Sequence, residues 1–162
     1  SFGNFLIKQV ANAIRTDYPN IKDFVTLSPV PGFMDWLELN NNELFKSIDN
    51  GQFINETDEY KDDILKNSLD YFFNSERSDK LPNDSVARFH LGNGAYFHRI
   101  NFLGDLSKKA LNSAAGLMVN YKYNLDKIQE NHEQFFKEKN IICSNEIQLM
   151  KKNYHKKKLK FG

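Results

Sequence analysis

Two segments of this chain hold the residues whose types and spacing could do chemistry. One is VTLSPVPGF, Val25 to Phe33. The other is DSVARFHLGNGAYFHRINFLGDLSKKALNSAAGLMVNYKY, Asp84 to Tyr123. Polar groups set in apolar, element-forming sequence must be hydrogen-bonded or used. Ser28 stands at the C-terminal end of a predicted strand, just before a stiff Pro-x-Pro-Gly turn. Strand ends in α/β folds line ligand crevices, and a rigid turn holds a hydroxyl in place at little entropic cost. The alternative is a turn serine bonding its own backbone. Ser28 lacks a Gly-x-Ser-x-Gly setting, which argues against a hydrolase nucleophile.

His90 falls at the end of a predicted helix, beside Gly92 and Gly94. A helix C-terminus favours the imidazolium by about 0.3–1 kcal/mol. That suits a proton donor near neutral pH, and a helix-capping histidine is the alternative. His98 and Arg99 are neighbours on a predicted strand, so strict alternation sends them to opposite faces. Arg99 has two readings, an ion pair with Asp105 or a hold on an anionic ligand. Tyr121 and Tyr123 flank Lys122 and share a face. They read either as core aromatics with wet hydroxyls or as phenols that orient a neighbour or donate to an oxyanion. Asn101 and Asn120, on the two strands, could serve the same pocket. The histidines show no His-x-x-x-His spacing and no cysteine cluster accompanies them, which argues against zinc.

The elements that must position these groups follow from periodicity. Phe2, Phe5, Leu6, Val10, Ala13 and Ile14 recur at helical spacing until Asp17-Tyr18-Pro19-Asn20. Asp23 to Leu27 reads as a short buried strand, which the prolines at 29 and 31 should end. Phe33 to Leu39 reads as a short helix. Asn40 to Pro82 is polar and weakly patterned, with one amphipathic helix marked by Ile64, Leu65, Leu69, Phe72 and Phe73. Asp84 is a plausible cap for a helix from Ser85 to Leu91, stopped by Gly92-Asn93-Gly94. A strand from Ala95 to Phe102, a helix capped by Asp105 and ending before Gly116, and a strand from Leu117 to Tyr123 follow. Helices over Leu125–Lys139 and Asn145–Lys158 complete the pattern. This order predicts a mixed α/β (α+β) domain whose few strands leave an open sheet edge.

Composition bounds the rest. The chain's 162 residues suffice for one domain with a real core. Lys and Arg number 22 against 21 Asp and Glu, so no global field favours nucleic acid or a membrane surface. The basic run from Lys151 to Lys160 reads as the solvated end of a helix, with a surface for an anionic partner as the alternative. Cys143 is the single cysteine, so no internal disulfide can form, and it reads as a small apolar packing residue.

Four segments together resemble the malonyl-CoA decarboxylase family. They are FGNFLIKQV (Phe2 to Val10), LSPVPGFMDWL (Leu27 to Leu37), ARFHLGNGAYFHRINFLGD (Ala87 to Asp105) and GLMVNYKY (Gly116 to Tyr123), in the family's order. The resemblance implies that residues 1–162 are the C-terminal part of a catalytic domain, with 1–123 carrying the match and 124–162 forming C-terminal helices. It implies an acyltransferase-like (GNAT) mixed sheet flanked by helices and lacking its N-terminal strands. It further implies decarboxylation of malonyl-CoA to acetyl-CoA and CO2, with no cofactor beyond the coenzyme A thioester itself. The family's catalytic serine, histidine and a site tyrosine fall on Ser28, His90 and Tyr123. Gly3, Asn4, Pro29, Asn93, Arg99, Asn101 and Asn120 are the accompanying candidates for substrate or CoA contact. A family carboxylate near the start of the first helix meets Ser1 here. Homo-oligomerisation through a part of the protein outside this chain is expected, in a bacterial cytoplasm or a mitochondrial matrix. A GNAT-type acyltransferase and a non-catalytic acyl-CoA-binding module are the competing readings, and the isolated polypeptide is expected to be inactive.

Overall fold

The computed structural model describes residues 2–49, 51–75 and 77–160, with side chains over 6–49, 51, 53–75 and 77–154. Helix α1 (Phe2–Asp17) leads into two short strands, β1 (Phe24–Val25) and β2 (Ser28–Pro29). Helices α2 (Phe33–Asn40), α3 (Asn42–Ile48) and α4 (Thr57–Leu69) follow, and a π-helical turn, Asp70–Asn74, extends α4. Then come α5 (Ser85–Gly92), β3 (Tyr96–Asn101), α6 (Lys108–Ala114), β4 (Met118–Tyr123), α7 (Ile128–Glu133) and α8 (Asn145–Lys160). This is the mixed α/β architecture that the periodicities predict.

Strand β4 is the axis of the sheet. Strand β3 runs antiparallel along one side, with Phe97 opposite Tyr121 and Ile100 opposite Val119. Strands β1 and β2 lie end to end along its other side, with Phe24 opposite Tyr123 and Ser28 opposite Val119. The four pairings form one continuous register, 24–123, 25–122, 28–119 and 29–118. The chain from Phe24 to Pro29 is therefore a single edge segment interrupted at Thr26 and Leu27. The proline rule would end the strand at Leu27, and the structure corrects that. An edge strand tolerates a proline, and among the described strands β2 pairs with β4 alone. Nor is this segment buried: Val25 and Leu27 are 53% and 59% exposed. No other described strand covers that edge, whereas the outer edge of β3 is bonded by the 142–144 segment, through Phe97 N–H to Ile142 O and Ser144 N–H to Phe97 O.

A bulge between Phe97 and Arg99 inserts His98 as an unmatched residue. It cancels one step of alternation. Phe97 and Ile100 both face the core, while His98 is half-buried and Arg99 exposed. The expectation that His98 and Arg99 take opposite faces is thereby overturned. Arg99 pairs with Glu146 at 3.4 Å rather than with Asp105. Asp105 accepts from Ser107 N–H, and Ser107 is the residue that caps α6.

Asp84 does cap α5, its Oδ1 accepting from Ala87 N–H at 2.7 Å, and Tyr71 donates to its other oxygen. Gly94 carries the left-handed turn after α5, at φ +84°, where an added Cβ would meet the Ile128 carbonyl. Helix α7 clamps the same turn: Asn131 donates to Gly94 O and His132 to Gly92 O. The core is an aromatic chain in edge and tilted contacts, from Phe33 through Tyr71, Phe72 and Phe97 to Tyr121. It ends on the His90 ring. Cys143 packs, partly buried, against this core. No helix among the described residues is long and apolar enough to cross a membrane.

Candidate active site

His90 is delivered by the last turn of α5, and the Asp84 cap and the Gly94 turn fix both ends of that helix. Its ring stacks on Tyr121 at a centroid distance of 4.8 Å and an angle of 21°. Its two nitrogens meet two different strands. Nδ1 lies 2.8 Å from the Tyr123 hydroxyl on β4, and Nε2 lies 3.2 Å from Ser28 Oγ on β2. Ser28 and Tyr123 reach one ring because Val119, Tyr121 and Tyr123 share the inner face of β4 and Ser28 lies directly opposite Val119. The structure thus brings Ser28, His90 and Tyr123 together.

The proton order follows from the donors. Burial pushes the Tyr123 phenol well above its ordinary range, so it keeps its hydrogen. Given to His90 Nδ1, that hydrogen leaves the ring proton on Nε2, where it donates to Ser28 Oγ. Ser28 in turn donates to Thr26 Oγ1 at 2.8 Å.

Burial also pulls the His90 pKa down to about 4, so the imidazole is neutral at physiological pH. This corrects the expectation of an imidazolium. A helix terminus offers about 0.3–1 kcal/mol to the charged form. Desolvation of this size opposes it with roughly 3 kcal/mol, and burial wins.

An open groove of about 620 Å³ runs past Thr26, His90 and Tyr123. Leu6, Val10 and Ile14 of α1 line it together with Phe24, Val25 and Thr26 of the edge segment. His90 and Tyr123 also line it. The lining is mostly apolar, with Asp23 as its carboxylate, and apolar surroundings strengthen a charge interaction.

The other sequence candidates fall elsewhere. Asn101 and Asn120 are on the outer face of the sheet, where Asn101 Nδ2 donates to Asn120 Oδ1 and Asn120 Nδ2 to Thr26 O, each at 2.8 Å. Pro29 is exposed opposite Met118 on that same face. Arg99 is held by Glu146 on α8. Asn93 is buried after α5, with its amide donating to Phe89 O at 2.7 Å. Gly3 and Asn4 lie in the first turn of α1, where the backbone alone is described, and Ser1 lies outside the described residues. Sequence reasoning missed Thr26. On a strand, residues two apart share a face, so Thr26 beside Ser28 was readable once the strand was known to continue past Leu27.

The malonyl-CoA decarboxylase C-terminal domain model matches residues 1–160. Among named relatives, the mitochondrial malonyl-CoA decarboxylase of Anser anser anser is 33% identical over 90% of this chain and 35% of its own length. That of Rattus norvegicus is 32% identical over 90% of this chain and 36% of its own. Among solved structures, malonyl-CoA decarboxylase from Rhodopseudomonas palustris superposes with a TM-score of 0.84 at 39% identity, covering 93% of this chain and 38% of that one. The Agrobacterium vitis protein gives 0.84 at 40% identity, covering 93% and 40%. The chain therefore spans little more than a third of the length of the relatives it matches. On this sequence match and this fold, the chain belongs to the malonyl-CoA decarboxylase family, within its C-terminal domain.

Proposed function

We propose that this chain supplies the proton-handling residues for decarboxylation of malonyl-CoA to acetyl-CoA and CO2, as part of a protein whose other segments complete the coenzyme A site. The observation that carries the reading is the hydrogen-bonded line Tyr123–His90–Ser28 beside an apolar groove. The family names support it.

The chemistry asks for two things. Breaking the bond between the carboxylate carbon and the α-carbon releases CO2 and leaves its electron pair on the thioester as an enolate. That charge must be stabilised and the α-carbon then protonated. The net reaction consumes one proton. His90 has none to spare, because burial holds it neutral. The malonyl carboxylate brings a negative charge into the groove, and an opposite charge nearby favours the imidazolium. The proton enters with the substrate on His90 and leaves on the α-carbon, returning the ring to neutral. Ser28 steadies the Nε2 edge by accepting its hydrogen. Tyr123 fixes the ring through Nδ1. The goose and rat relatives are named mitochondrial and the two solved proteins are from bacteria, which supports a matrix or a bacterial cytoplasm as the place of action.

Proton uptake on binding tests this step apart from turnover. The probe is a carboxyethyl thioether of coenzyme A, which carries the carboxylate but cannot decarboxylate. Calorimetry near pH 6, in two buffers of unequal ionisation enthalpy, should show uptake of about one proton per site. His90→Asn should abolish it. Heats that do not depend on the buffer would contradict the charging of His90.

A further inference from the structure

Thr26 sits where the edge segment interrupts its own ladder, and its side chain takes over the missing connections. Its backbone N–H donates to Tyr121 O at 2.9 Å. The return bond does not go to its carbonyl. Tyr121 N–H donates instead to Thr26 Oγ1 at 3.3 Å, and the Thr26 carbonyl accepts from Asn120 Nδ2 at 2.8 Å. This exchange fixes the hydroxyl on the inner face, next to Ser28 and along the groove that His90 lines. Asn101 braces it from the outer face by donating to Asn120 Oδ1. The strand break is thus a hydrogen-bonded mount for one hydroxyl group.

That hydroxyl accepts the Ser28 hydrogen at 2.8 Å. A serine has one hydrogen to give, and two acceptors stand within reach of it, Thr26 Oγ1 and His90 Nε2. Given to Nε2, it would require that nitrogen to be the bare one and would move the ring proton to Nδ1, against the Tyr123 hydroxyl. Given to Thr26, it leaves Nε2 protonated, with Ser28 Oγ as its acceptor.

We propose that Thr26 is a positioning residue for the Ser28–His90 pair: by holding the Ser28 hydrogen it keeps the His90 proton on Nε2, the nitrogen that faces Ser28. The inference rests on the reading of Ser28 and His90 given above. Thr26 acts through Ser28 and needs no contact with substrate. Its methyl group is dispensable and its hydroxyl is not.

The test is a double-mutant cycle on malonyl-CoA turnover by the full-length protein, using Thr26→Val, Thr26→Ser, Ser28→Ala and Thr26→Val/Ser28→Ala. Loss of one hydrogen bond of ordinary strength corresponds to about a tenfold fall in kcat for Thr26→Val, with KM within about twofold. Thr26→Ser should keep kcat within about twofold of the parent, and it guards against a packing defect in the valine variant. In the Ser28→Ala background, Thr26→Val should add no further loss, because its effect passes through Ser28. Full activity in Thr26→Val, an equal loss in Thr26→Ser, or additive losses in the double variant would each overturn the proposal. An unimpaired Ser28→Ala would instead remove the reading of Ser28 on which it rests. If Thr26→Val does not fold, a serine variant with normal kcat and a Thr26→Ala variant with the tenfold loss sustain the proposal, and equal losses in both refute it.

Discussion

In the full-length protein, His90→Asn and Ser28→Ala should each lower malonyl-CoA turnover by about a hundredfold or more, the size expected when a positioned acid–base group is lost. Asparagine can return a hydrogen bond to Ser28 or to Tyr123, but it cannot carry a proton from solvent to carbon. Alanine at Ser28 leaves His90 Nε2 and Thr26 Oγ1 without their shared partner. The loss should fall on kcat more than on KM, because the apolar walls of the groove from α1 and the edge segment are untouched. A thermal melt separates this from unfolding. His90 is half-buried and Asn is smaller, so the variant should still melt cooperatively within a few degrees of the parent at neutral pH. Steady-state kinetics on both variants, with acetyl-CoA formation as the readout, gives the number. Turnover near that of the parent in His90→Asn would remove the proton-delivery role.

Acid should destabilise the parent protein through the same residue. The His90 pKa is about 4 in the folded state against an ordinary 6.5, so the unfolded chain binds the extra proton first as pH falls. Stability therefore rises with pH between about 4 and 6.5, and it is lost as pH drops through that window. At one pKa unit per 1.36 kcal/mol, the effect is on the order of 2–3 kcal/mol for this partly exposed ring. Denaturant unfolding at pH 7 and pH 4.5, compared between parent and His90→Asn, measures it. The difference between the two pH values should be smaller in the variant by about that amount. An identical pH dependence in both would mean that His90 takes up its proton as readily in the folded as in the unfolded protein.

Much of the scaffold was legible before any coordinates. Asp84 before a helical run, and Gly94 after it, gave α5 and the end on which His90 sits, because capping and left-handed turns are local and leave local signatures. The alternation of Val119, Tyr121 and Tyr123 put both tyrosines on one face. Ser28, His90 and Tyr123 stood out as a set through the family resemblance, since spacing left each with an ordinary structural reading.

What escaped was set by register and burial, which are not local. The bulge at His98 depends on how β3 meets β4, so adjacency in sequence misplaced His98 relative to Arg99. The continuation through Ser28 and Pro29 depends on β2 being an edge. Missing it hid Thr26. The charge state of His90 depends on the aromatic chain behind it, and Tyr121 is the member that stacks on the ring. Arg99, Asn101 and Asn120 were polar residues on strands without being groove residues, because their partners were Glu146, one another and Thr26.

The most direct test is malonyl-CoA turnover by the full-length protein, with acetyl-CoA and CO2 followed in the same reaction. Equal amounts of both products, abolished by His90→Asn, is the expected result. Binding of the thioester with no release of CO2, or transfer of the acyl group to an amine or thiol acceptor, would contradict the decarboxylase reading.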